Sequence, residues 1–108
     1  MPSAVAEAAP LFAALGDETR LRLVARLGDG TPRSITSLTE GEGMTRQAIT
    51  KHLHVLAEAG MVRGERRGRE QVWALERERL DAARKWIDEL SAQWDSALER
   101  LRIFVEER

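Results

Sequence analysis

The 108-residue chain contains no cysteine and no tyrosine, and it has only two histidines. Without a thiol it forms no disulfide, thiolate metal site, cysteine nucleophile or thiol redox switch. It has no apolar run of the roughly 18 residues that a transmembrane helix requires. Its first ten residues also lack the basic start and long apolar stretch of a secretory signal. We therefore expect a protein of the reducing cytoplasm that has no membrane partner.

The residue types that enzymes use for catalysis are sparse and poorly placed. Asp17 and Glu18 stand where a helix would begin, and no serine is placed near a histidine base. His52 and His54 are two residues apart, which on a helix separates them by about 200° and prevents joint metal binding. We expect His52 to be packed or to bind a phosphate. The sequence therefore predicts no catalytic residues, no metal and no cofactor.

Apolar residues make up 43% of the chain and charged residues 32%, which fits one small folded domain over residues 1–108 and argues against disorder. The formal net charge of -1 is unevenly distributed. Residues 44–69 hold six basic and two acidic side chains, whereas 1–43 and 76–108 each carry two more acids than bases. A basic segment between acidic flanks is typical of a surface that binds a polyanion.

Turn residues and apolar periodicity predict the order of the helices. Residues 1–9 are expected to form a loose leader, followed by a short apolar helix with Pro10 in its first turn, where a missing N–H costs little. After a second helix, residues 34–60 fit a helix-turn-helix unit. Its longer helix is capped by Thr45 and ends before Gly60.

Residues 61–76 fit a β-hairpin with a basic tip. Val72 and Trp73 favour a strand, and Gly68 supplies the turn. A hairpin directly after a helix-turn-helix unit is a wing. The expected fold is therefore mainly α with a small β-hairpin wing, a winged helix-turn-helix in the order α-α-α-α-β-β-α.

The last third of the chain, residues 78–107, has no glycine or proline and carries apolar residues in a heptad pattern. A helix of roughly 28 residues extends about 42 Å, which is more than so small a domain can cover. Part of the apolar stripe must therefore pack on another chain, and we expect a second copy. A pocket for an apolar effector beside Trp86 and Trp94 is a weaker alternative to plain dimer packing. The predicted dimer interface comprises Leu11, Leu15, Ile87, Leu90, Trp94 and Leu101.

The outer face of the longer helix in the helix-turn-helix unit is polar and basic near its N-terminal end. Arginine contacts guanine, glutamine contacts adenine, and threonine contacts bases or phosphates. The backbone N–H groups at the helix start also suit a phosphate. At the hairpin tip, arginines can enter a minor groove or hold phosphates. The predicted DNA-contacting residues are Thr45, Arg46, Gln47, Thr50, Lys51, His54, Arg66, Arg67 and Arg69.

Three segments together resemble the ArsR/SmtB-type winged helix-turn-helix repressors: LGDETRLRL, QAITKHLHVLAEAGMV and RRGREQVWAL. The likeness covers about residues 10–106. It implies a homodimer joined through its first and last helices. It also implies that this dimer binds a palindromic operator on double-stranded DNA, usually at its own promoter, and releases it when an effector binds.

The metal sensors of that family often carry cysteines in the short helix before the turn, and a second family site uses histidine and carboxylates on the last helix. Here residues 33–38 have no thiol and residues 78–107 have no histidine. The resemblance therefore implies a member of the non-metal-sensing subgroup, controlled by an unidentified small-molecule effector.

Two other classes of function stay open beside a DNA-binding regulator. The long helix would also suit a winged-helix protein-interaction module, although the basic segment over residues 44–69 favours DNA. An enzyme, or an accessory domain of one, is disfavoured because the sequence assembles no triad, metal set or phosphate loop.

Overall fold

Five helices and one three-stranded antiparallel sheet make up residues 4–107, the part of the chain that the computed structural model describes. This architecture confirms the predicted fold, mainly α with a small β wing. In chain order the elements are α1 (Ala4–Leu15), α2 (Glu18–Arg26), β1 (Arg33–Ser34), α3 (Ile35–Thr39), α4 (Arg46–Glu58), β2 (Val62–Arg67), β3 (Glu70–Leu75) and α5 (Arg77–Glu106).

Helix α1 begins earlier than the sequence predicted. A loose leader over residues 1–9 was the expectation, but the helix is present from Ala4 onwards and contains Pro10 in its interior; residues 1–3 lie outside the described part. Alanine, which dominates this segment, has the highest helix propensity. Ala8, Leu11 and Ala14 are also buried along one side of the helix, which packs on α5. This burial and propensity offset the hydrogen bond that a proline cannot donate.

Strand β1 is a two-residue element that the sequence analysis did not predict. Arg33 pairs with Trp73 and Ser34 with Val72, so that β3 lies in the middle of the sheet. The Ser34 hydroxyl also accepts a hydrogen bond from the Ser37 backbone N–H at 3.1 Å and thereby caps α3. The strand ties the helix-turn-helix unit directly to the wing.

The inner face of α4 is fixed by the apolar core. Ile49, Leu53 and Leu56 are fully buried, as their spacing predicted. They belong to the same cluster as Leu23 and Leu27 of α2. Because these three side chains lie along one side of the helix, the opposite side of α4 faces away from the core.

A buried acidic side chain holds the turn that precedes α4. The Glu42 side chain is only 5% exposed, and one of its oxygens accepts a hydrogen bond from Arg22 Nε at 3.1 Å. The neighbouring Arg26 lies 3.8 Å from the other oxygen. Arg26 also donates to the carbonyls of Ser37 at 2.7 Å and Leu38 at 2.9 Å. Helix α2 therefore fixes the path of the chain into α4.

Helix α5 has 30 residues and extends about 45 Å. Near its start Ala83 is buried, and Trp86 packs edge to face on Phe12 of α1 with ring centroids 5.6 Å apart. Beyond this point the apolar stripe is uncovered, and Trp94 is 65% and Leu101 57% exposed. No helix within residues 4–107 is long and apolar enough to cross a membrane.

One member of the predicted dimer interface lies inside the protomer. Leu11 is 1% exposed and belongs to the core, because α1 turns this residue inward together with Ala14. It therefore has no surface left to offer a second copy, and its assignment to the interface was wrong. Leu15 is half-buried, whereas Ile87 and Leu90 are 45% and 49% exposed.

Gly60 ends α4 in the left-handed conformation, with a φ of +78°. A Gly60→Ala variant should lower the free energy of unfolding by about 1 kcal/mol, because side chains disfavour this backbone region. The added Cβ would also meet Arg79 Nε at 2.7 Å, although that flexible side chain can move. Urea denaturation at a fixed protein concentration measures the loss.

The matched control for this variant is Gly16→Ala. Gly16 is outside the left-handed region, and an added Cβ would lie 3.4 Å from its nearest neighbours, an ordinary contact. We expect its stability to change by less than about 0.5 kcal/mol. Equal losses in the two variants would show that the conformation of Gly60 is not the cause.

Candidate nucleic-acid interface

The outer face of α4 carries the predicted contact residues. Thr45 caps the helix, since its hydroxyl accepts a hydrogen bond from the Ala48 backbone N–H at 3.1 Å. Thr50 is half-buried, and its hydroxyl donates to the Arg46 carbonyl at 2.8 Å. The remaining predicted residues on this helix are exposed; they are Arg46, Gln47, Lys51 and His54.

The wing carries its arginines at the tip of the β2–β3 hairpin. Arg66, Arg67 and Arg69 are all exposed. Arg67 forms an ion pair with Glu65 at 2.7 Å, whereas Arg66 and Arg69 form none within residues 4–107. The two cations without an acidic partner are therefore the ones most available to an anionic ligand.

A groove of about 380 Å³ separates α4 from the wing. Arg46, Thr50 and His54 line it from the helix, and Arg66 and Arg69 line it from the hairpin. The fold thus brings together five of the nine predicted DNA-contacting residues. The other four lie outside the groove lining; they are Thr45, Gln47, Lys51 and Arg67.

Two polar residues of the groove region were missed by the sequence analysis. Arg46 Nη2 donates to the Thr36 hydroxyl at 2.7 Å, and that hydroxyl donates to Glu70 Oε1 at 3.3 Å. This chain links α4, α3 and β3. Because it depends on the pairing of β1 with β3, no local spacing in the sequence indicates it. Glu70 also places a carboxylate in a groove whose other charged members are cationic.

Trp73 forms an apolar part of the groove wall. Its side chain is 4% exposed, and its ring lies 5.7 Å from that of His54. The six-membered ring covers Gly64 on β2, where an added Cβ would come within 2.8 Å of Cζ3. The indole N–H is buried and has no hydrogen-bond partner within residues 4–107. A glycine at position 64 is therefore required by the position of the indole ring.

The two histidines point to opposite sides of α4. His54 is exposed at the groove, whereas His52 turns inward and its Nδ1 lies 3.2 Å from Arg20 Nη1. His52 is thus packed, which was one of its two predicted roles. Among residues 4–107, no group of three or more His, Asp or Glu side chains is arranged to hold a metal ion.

Comparison with known proteins agrees with the helix-turn-helix fold. A family model described as a helix-turn-helix domain matches residues 15–65. The uncharacterized HTH-type transcriptional regulator YuzN of Bacillus subtilis is 36% identical over 85 residues, which cover 72% of this chain and 92% of YuzN. An ArsR-like transcriptional regulator from Rhodococcus superposes with a TM-score of 0.75 and 35% identity, covering 90% of this chain and 91% of its own.

The chain belongs to the ArsR family of winged helix-turn-helix regulators. A further similar structure is the homodimeric winged helix-turn-helix DNA-binding domain of a Mycobacterium bovis protein described as a possible ArsR-family transcriptional regulator. It has a TM-score of 0.63 and 26% identity, and the match covers 87% of this chain and 83% of that one. In this ArsR-type regulator the matched residues 15–65 include α2, α3, α4 and most of β2, so they contain one wall of the groove.

Proposed function

We propose that this ArsR-type regulator binds double-stranded DNA in the cytoplasm as a homodimer and represses transcription from a palindromic operator. The observation that carries the proposal is the groove between α4 and the wing, which gathers cations from two elements beside an exposed helix face. An α-helix fits the major groove of B-DNA, and a basic hairpin beside it can follow the phosphate backbone.

The proposed DNA-contacting residues fall into two groups according to their surroundings, one suited to base contacts and one to phosphate contacts. Gln47 and Lys51 are exposed, and their side chains form no hydrogen bond or ion pair within residues 4–107, so they can turn to base edges. Arg66 and Arg69 stand across the groove, where phosphates would lie. We assign the first pair to base contacts and the second to the backbone, with His54 and Thr50 beside them and Thr45 at the helix N-terminus.

The uncovered stripe of α5 supports dimer formation. Ile87, Leu90, Trp94 and Leu101 follow heptad spacing and are 45–65% exposed. A second copy that covers this stripe would place two α4 helices on one face, about 34 Å apart for half-sites one turn of DNA apart. The homodimeric Mycobacterium bovis domain has the same fold.

The effector is proposed to be a small molecule other than a metal ion. Residues 33–38 contain no cysteine and α5 contains no histidine, so neither metal site implied by the family resemblance has its ligands. We propose no catalytic role and no cofactor. The exposed α5 stripe would equally suit a partner protein, and the DNA-binding measurement decides between the two functions.

The direct test is fluorescence anisotropy with duplex DNA from the region upstream of the gene. At about 150 mM salt we expect that duplex to bind about 10³-fold more tightly than a scrambled one. Weak and equal binding to both would contradict the proposal and favour the protein-interaction role of α5.

Gln47→Ala should relax base preference at one position of each half-site. Losing a bidentate base contact costs about 1–3 kcal/mol on the correct sequence and much less on random DNA. Anisotropy on operators with single base-pair changes measures the preference. If Gln47→Ala weakens the binding of specific and random duplexes equally, Gln47 does not contact a base.

Arg69→Ala should weaken binding to operator and random duplexes alike and reduce the slope of log K against log salt by about one per contact. Arg67→Ala is the matched control on the same hairpin. Because Arg67 is already paired with Glu65, it should have the smaller effect. A larger effect for Arg67 would show that the groove is not the phosphate site.

Leu90→Glu should shift the protein from dimer to monomer, because it places a charge in the centre of the apolar stripe. Ala92→Glu is the control, since Ala92 is also exposed but lies away from the heptad stripe. Sedimentation equilibrium measures both. A dimer that survives Leu90→Glu unchanged would place the interface elsewhere.

A further inference from the structure

Arg20 joins three helices at one point. It lies in the first turn of α2, and its Nε donates to the Ala14 carbonyl at 2.5 Å, near the end of α1. Its Nη1 faces His52 Nδ1 on α4 at 3.2 Å. A single guanidinium therefore connects the helix that packs on α5 with the helix that carries the DNA-contacting face.

This contact favours a neutral His52 whose Nδ1 is the hydrogen-bond acceptor. A guanidinium donates hydrogen bonds and cannot accept them, so Nδ1 must present a lone pair. An imidazole that accepts this hydrogen bond is neutral and carries its proton on Nε2. Protonation at Nδ1 would remove the acceptor and place two cations 3.2 Å apart.

Asp17 provides an alternative partner for a charged His52. Its Oδ2 lies 3.8 Å from His52 Nδ1 and accepts a hydrogen bond from the Arg20 backbone N–H at 3.1 Å. That backbone bond is the main cause that lowers the pKa of Asp17; burial opposes it, and a protonated His52 and the Arg20 side chain lower the pKa further. Asp17 therefore remains a carboxylate that can pair with a protonated His52. Within residues 4–107, Asp17 and Arg20 are the charged groups bonded or paired to His52.

The contact between Arg20 and His52 lies between the two surfaces on which operator binding depends, which are the apolar stripe of α5 and the outer face of α4. Helix α1 packs on α5 through Phe12 and Trp86, so the position of Ala14 follows the α5 dimer helix. His52 lies between Lys51 and His54, which face outward. A change in the Arg20–His52 contact would therefore alter the angle of α4 relative to the dimer axis, and with it the fit to two half-sites.

We infer that Arg20 and neutral His52 are positioning residues that hold α4 in its operator-binding orientation, and that protonation of His52 weakens operator binding. The inference rests on the proposed function. When His52 is protonated, its Nδ1 loses the hydrogen bond from Arg20 and donates one to Asp17 instead, in both protomers. Arg20 keeps its hydrogen bond to the Ala14 carbonyl. We expect a loss of operator affinity of about tenfold between pH 7.5 and 5.5, of the size that one modest hydrogen bond in each protomer supports.

The test is operator anisotropy from pH 8.0 to 5.5 at constant ionic strength, with duplex from the upstream region of the gene. The wild-type protein is compared with His52→Asn and His52→Leu. The amide oxygen of asparagine can accept the Arg20 hydrogen bond but does not titrate. His52→Asn should therefore bind as tightly as the wild type at pH 7.5 and lose the acid dependence. His52→Leu should bind weakly at every pH; if it fails to fold, His52→Asn alone carries the test.

A second titratable group needs its own control. His54 lies at the groove, and its protonation would strengthen phosphate contacts in acid, which is the opposite sign. The His54→Gln variant should therefore keep the acid loss or enlarge it. An acid loss that disappears in His54→Gln, or persists in His52→Asn, would overturn the inference.

The failure of this inference is distinguishable from failure of the proposed function. No selective binding by the wild type at pH 7.5 would overturn both. Selective binding at pH 7.5 without any change down to pH 5.5 would overturn the inference alone. Imidazole ¹⁵N shifts of His52 in the DNA-free protein should show the Nε2–H tautomer at pH 7.5, and an Nδ1–H tautomer would contradict the Arg20 contact.

Discussion

Burial of Ile49, Leu53 and Leu56 sets the rotation of α4 about its own axis, and the surface offered to DNA depends on that rotation. Once these three side chains are in the core, the helical period turns Gln47 and Lys51 outward. The other contacts fix the position of the helix. The buried carboxylate of the preceding turn holds its start, and the contact with α2 holds its middle. Apolar packing thus determines which face of α4 points outward, and a few charged hydrogen bonds fix the position of the helix.

The basic side chains of the candidate interface differ in whether an acidic side chain is paired with them. Of the six bases in residues 44–69, Arg63 pairs with Glu76 at 2.9 Å and Arg67 with Glu65 at 2.7 Å. Exposed pairs of this kind contribute little stability, but they compete with a phosphate for the same cation. The groove itself combines three arginines with the Glu70 carboxylate. The groove therefore keeps a net positive charge, which suits a polyanion such as DNA.

The sequence predicted what depends on local periodicity. The stripe of α4, its Thr45 cap, the glycine that ends it and the hairpin are all found where the pattern placed them. The sequence did not predict the features that depend on contacts between segments far apart in the chain. The helix over Ala4–Leu15 and the burial of Leu11 follow from contact with other helices, which propensity alone does not show. The same holds for β1 and for Thr36 and Glu70 at the groove, because a two-residue pairing across the fold brings them together.

The contact between Gly64 and Trp73 also constrains how this protein can evolve. The indole lies where a side chain at position 64 would stand, and the two residues are paired across the β2–β3 ladder. A larger residue at 64 becomes acceptable only after the ring at 73 has become smaller, and the reverse order passes through a strained intermediate. Relatives with a side chain at position 64 should therefore also carry a residue smaller than tryptophan at position 73, whereas a smaller residue at 73 can stand beside glycine.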